Sequence, residues 1–89
     1  MPKYVVERVI PGVGNWSAER LKAAAQASCD IVNELGPEIE WLQSYVTGDK
    51  AYSIYNSPNA ELIREHSRRS GFPVDSIAEV KTIIGPFIA

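Results

Sequence analysis

EIEWLQSYVTGDKAYSIY, residues 38–55, reads as two strands with a tight turn between them. Glu38–Val46 alternates apolar and polar side chains with period two. Thr47-Gly48-Asp49-Lys50 supplies turn chemistry, and Ala51–Tyr55 is again strand-like, so the pair forms a β-hairpin. A strand and a helix are expected on its N-terminal side. Lys3–Val9 is rich in β-branched residues and is stopped by Pro11, Gly12 and Gly14. Ser17 is placed as an N-cap, with Glu19 in the first turn, where negative charge suits the helix dipole. Leu21, Ala24, Ala25, Ser28, Ile31, Val32 and Leu35 then recur at helical spacing until Gly36-Pro37. On the C-terminal side Ser57-Pro58-Asn59 opens a second helix, with Ser57 or Asn59 as its cap. That helix runs to about Ser70 and is closed by Gly71; Phe72-Pro73 is a loop, and Ser76–Ile84 is a last strand before Gly85-Pro86.

The order β-α-β-β-α-β is the split βαβ arrangement of an α+β, ferredoxin-like sandwich. Its sheet is antiparallel and carries both helices on one face. The chain of 89 residues is expected to be a single domain, 1–89. A domain this small buries roughly 60–65% of its unfolded surface, and oligomerisation is a common source of added stability.

The net charge of −2 argues against a nucleic-acid partner, which calls for a basic surplus. Arg64, Arg68 and Arg69 are a local cluster on a helix that also carries Glu61 and Glu65. One cysteine, Cys29, excludes an intramolecular disulfide and any CxxC site; it sits beside the apolar stripe of the first helix. Neither a signal peptide nor a membrane helix is legible, so a cytoplasmic location without a membrane partner is expected.

Site residues follow from strand alternation. With Val6, Leu42, Val46, Ile54 and Val80 under the helices, the other face receives Glu7, Trp41, Gln43, Tyr45, Ser53 and Tyr55. Aromatic rings with a carboxylate, an amide and a hydroxyl suit a ligand cleft. They equally suit a homodimer face, and a dimer of such sheets can enclose a cleft.

His66 is the only histidine. It lies near the Leu62/Ile63 stripe in the last turns of the second helix, where a ring nitrogen can bond a carbonyl and hold the helix end against the next loop. As metal donors, His66, Glu65, Glu7 and Asp49 suit nickel, zinc or a similar ion, but one histidine allows no paired-histidine motif. Ser53 lacks a base, since His66 is expected across the sheet from it. Acid–base chemistry by Glu7 with a tyrosine is open to the same cleft. The GVG at residues 12–14 is not a dinucleotide fingerprint.

Four stretches carry a resemblance: VERVIPG (6–12), ELGPEIEWLQSYVTGDKAY (34–52), SPNAELIREHSRRSGFP (57–73) and IAEVKTIIGP (77–86). Over nearly its whole length the chain resembles a bacterial family of small uncharacterised ferredoxin-like proteins, some labelled nickel-binding. The resemblance implies a ferredoxin-like fold, commonly dimeric, and binding of nickel or another divalent metal. Glu7, Glu65 and His66 match the family pattern. Many relatives carry histidine at the position of Gln43 and cysteine at that of Ser53; both replacements remove a strong nickel ligand. The expectation is a small dimeric protein that binds a small molecule or metal. The alternative is a small enzyme using the sheet-face cleft for acid–base chemistry on an organic substrate.

Overall fold

The computed structural model describes residues 1–88. Strand β1 (Lys3–Val9) leads through a short 3-10 turn at Val13–Asn15 into helix α1 (Ala18–Leu35). Strands β2 (Glu40–Val46) and β3 (Lys50–Asn56) form the hairpin; helix α2 (Ala60–Ser70) and strand β4 (Ser76–Glu79) follow. The sheet order is β2-β3-β1-β4, and every neighbouring pair is antiparallel. This is the ferredoxin-like arrangement expected from the sequence.

The caps explain the helix limits. The Ser17 hydroxyl accepts from the Arg20 amide at 3.1 Å. Asn59, not Ser57, caps α2, its side-chain oxygen accepting from the Leu62 amide at 2.9 Å. Gly71 ends α2 at φ 79°, a left-handed conformation that a side chain would strain.

The last strand is shorter than the Ser76–Ile84 expected. It pairs antiparallel with β1, so each step along β4 moves back towards the chain start. The Val80 amide meets the Lys3 carbonyl at 2.7 Å, and there β1 ends as a partner. Ile83 and Ile84 are consequently exposed.

The core is centred on Tyr4, Val6, Ile39, Tyr55 and Ile63, with Val32, Leu35 and Leu62 of the helices packed against it. Register places Val6 opposite Ser53 and Tyr4 opposite Tyr55, so the helix-covered side of β3 is Ala51, Ser53 and Tyr55. Ile54 pairs with Val5 on the open side. A β-bulge between Trp41 and Gln43 shifts β2, bringing Trp41, Ser44 and Val46 opposite Tyr55, Ser53 and Ala51. The expected phase was therefore right for Val6 and Val46 and reversed for Ile54 and for Val80, since Ile77 and Glu79 are the residues in register with Val6 and Tyr4. Leu42 sits at the bulge and is exposed rather than under the helices.

Candidate functional site

The six residues expected to line one cleft are divided between the two faces of the sheet. Glu7, Gln43 and Tyr45 lie on the open face, in register with Tyr52 or Ile54. Trp41, Ser53 and Tyr55 lie under the helices. The correction has a physical cause: valine, isoleucine and tyrosine occur in both phases of these strands, so apolarity alone does not select the inner row. On the open face Glu7 accepts from Lys50 Nζ at 3.2 Å, and this carboxylate raises the Lys50 pKa.

The side chains under the helices form a connected polar chain. At its centre is Arg8, only 3% exposed. One guanidinium nitrogen, Nη1, donates to Ser67 Oγ at 3.0 Å and to the Pro73 carbonyl at 2.9 Å. Nη2 donates to the Tyr55 hydroxyl at 2.9 Å, and Nε makes a long 3.4 Å contact with Ser53 Oγ. Ser53 and Ser44 share a 2.7 Å hydrogen bond, and the Trp41 indole N–H donates to Ser44 Oγ at 3.0 Å. All Arg8 partners are neutral; no described carboxylate lies within ion-pair distance of it.

His66, fully buried, continues the chain. Its Nε2 lies 3.2 Å from the Ser28 carbonyl of α1, and its Nδ1 lies 3.5 Å from the Tyr55 hydroxyl. A carbonyl can only accept, so Nε2 carries the proton and Nδ1 is the acceptor. Burial lowers the His66 pKa, which favours this neutral ring; burial likewise raises that of Tyr55, which stays a phenol. The carbonyl partner expected for His66 exists, but it belongs to α1 and not to the loop after α2. Ser53 and His66 are also on the same side of the sheet, against expectation; the hydrogen-bond partners of Ser53 are nevertheless Arg8 and Ser44, neither of them a base.

Glu7, Glu65 and His66 do not converge. Glu7 is on the open face with Lys50, while Glu65 is held by Arg68 and Arg69 on the surface of α2. Asp49 accepts from the Gly12 amide in the hairpin turn. Among the described residues no three histidine, cysteine or acidic side chains are grouped to hold a metal. With both His66 nitrogens engaged inside the core, the described residues do not fit a nickel ion. Cys29 is exposed on α1.

Beside the polar chain lies a cavity of about 250 Å³ between α1 and the β2-β3-β1 part of the sheet. Its apolar wall includes Val13, Leu21, Ala24, Ala25 and Phe72. Ser44, Ser53, Tyr55 and the Arg8 guanidinium supply its polar side, and Arg8 is the only charged one among the described lining residues. An apolar wall with a few convergent polar groups is the common form of a small-molecule site. Arg8 had a sequence signal: period-two alternation from Val6 places it on the inner row.

Residues 4–80 match the model of a protein family described as "Nickel responsive protein SCO4226-like". No curated protein matches the chain. Among solved structures, the crystal structure of SCO4226 from Streptomyces coelicolor A3(2) superposes with a TM-score of 0.77. The alignment covers 92% of this chain and 99% of that one, at 19% sequence identity, a likeness of fold.

Proposed function

The chain belongs to the SCO4226-like family of nickel responsive proteins, and we propose that it is a homodimeric binding protein which takes a small organic molecule into the cavity beneath α1. The observation that carries this reading is the cavity wall itself: apolar side chains around one cluster of Ser44, Ser53, Tyr55 and Arg8. Binding is favoured over acid–base catalysis because the cluster holds no free base. Tyr55 is kept protonated by burial, and His66 is committed at both nitrogens. Dimerisation is supported by the open sheet face, where Tyr45 is 58% exposed in a row with Tyr52 and beside Val5 and Ile54. Nickel, which the family description names, is not part of this reading, since Glu7, Glu65 and His66 are held apart in separate interactions.

The test uses a neutral probe, 2-naphthamide, followed by fluorescence and by amide NMR shifts. Wild-type protein should bind it with shifts centred on the cavity wall. Ala25→Phe, which puts a ring into the cavity from α1, should abolish binding while leaving the fold intact. Undiminished binding by that variant, or shifts confined to the open sheet face, would remove the cavity from consideration.

A further inference from the structure

Arg8 is a permanent cation with neutral partners only, and its two ends are used unequally. A guanidinium offers five N–H groups. Four hydrogen bonds are made: two from Nη1, one from Nη2 and one from Nε. One Nη2–H is therefore left without a partner in the described protein, and the Nε–H contact of 3.4 Å is the weakest of the set. The partners separate in space. Ser67 and Pro73, which saturate Nη1, do not line the cavity; Ser53 and Tyr55, which face Nε and Nη2, do. Nε and Nη2, the two nitrogens with donor capacity to spare, are thus the two whose partners line the cavity.

The Nε/Nη2 edge has a specific chemistry. Nε–H and Nη2–H point in parallel and match the two oxygens of a carboxylate. Building on the cavity reading, we propose that the ligand is a small monoanion, an apolar acid whose carboxylate pairs with the Nε/Nη2 edge of Arg8. Ser53 yields its long contact and turns its hydroxyl, already hydrogen-bonded to Ser44, towards the incoming oxygen. The apolar body lies against Ala24, Ala25 and Leu21 of α1. A monoanion is selected because a single cation faces an otherwise uncharged wall; a second negative charge would be desolvated without a partner. The cavity volume of about 250 Å³ limits the ligand to one or two rings or a short chain.

The experiment compares 2-naphthoate with its neutral isostere 2-naphthamide by titration calorimetry at pH 7. The naphthoate should bind at least tenfold tighter to wild-type protein, and the Arg8 Nε–H resonance should move on its addition. Arg8→Met should reduce naphthoate affinity to that of the amide. Should Arg8→Met fail to fold, the acid-to-amide affinity ratio and the Arg8 Nε–H resonance in wild-type protein carry the test by themselves. Equal affinity for acid and amide, or an unmoved Arg8 resonance, would overturn the anion proposal while leaving the cavity reading intact. Absence of binding by both compounds would overturn both.

Discussion

His66 of α2 donates its Nε2–H to the carbonyl of Ser28, in the middle of α1, at 3.2 Å. This bond ties the two helices together below the surface, where water cannot replace it. The same ring meets Tyr55 of β3 edge to face, with centroids 5.5 Å apart. One side chain therefore joins three elements.

Removing it should be costly. His66→Ala deletes a buried ring and leaves the Tyr55 hydroxyl without its acceptor, which together costs about 2–4 kcal/mol. In a domain of this size that lowers Tm by about 8–32 °C, at roughly 4–8 °C per kcal/mol. Thermal unfolding in metal-free buffer measures it; an unchanged melting point would show that the helix tie carries little.

The pH dependence follows from the lowered His66 pKa. The unfolded state takes up a proton near the ordinary value of 6.5, whereas the folded state resists it. The unfolded chain then binds more protons, so stability rises with pH through this range. The contribution is fully present above about pH 6.5 and is lost as pH falls towards the folded pKa. Urea midpoints at pH 7.5 and 5.5 should show the loss in wild-type protein. Carboxylates titrate too, and His66→Gln, which keeps a donor for Ser28, separates their slope from that of the imidazole.

Gly14 is required for closeness rather than for an unusual φ. A Cβ there would stand 2.6 Å from the Thr47 carbonyl oxygen and 2.9 Å from Gly48 Cα, both backbone. Its amide also donates to the Gly48 carbonyl at 3.0 Å. Gly14→Ala must push the 12–16 loop off the hairpin turn, at about 1–3 kcal/mol. Chemical denaturation reads the cost. Amide exchange should quicken at position 14, whose N–H is bonded across this contact.

Association through the open sheet face predicts a sedimentation mass of twice the 9.8 kDa chain. Tyr45→Glu, at an exposed position near Glu7, should shift the protein to monomer without altering its Tm at low concentration. A monomer in wild-type protein at tens of micromolar would refute this route.

The elements were readable because their signals are local. Ser17, Gly36 and Gly71 punctuate the helices, and the Thr47–Lys50 turn marks the hairpin. The inner face of the sheet was not readable in the same way. Val5 and Val6 are both apolar, as are Ile54 and Tyr55, so neighbouring residues compete for the core. A charged residue at the centre of the covered face runs against the usual sorting of side chains, yet Arg8 follows from Val6 by simple alternation. Glu7, next to Val6 in β1, was placed on the open face as the structure has it, and this alone separates it from His66 under the helices.

The extra residue in β2 has a consequence for comparison among relatives. The bulge at Trp41–Gln43 changes the parity of the strand: odd-numbered position 41 faces inward before it, and even-numbered positions 44 and 46 face inward after it. Lengthening or shortening the chain by one residue here would exchange interior and exterior along half of β2 without touching any other strand. A histidine at the place of Gln43 thus points to the outer surface only in chains that keep this irregularity. In a chain without it, the same letter in an alignment would sit beside the arginine.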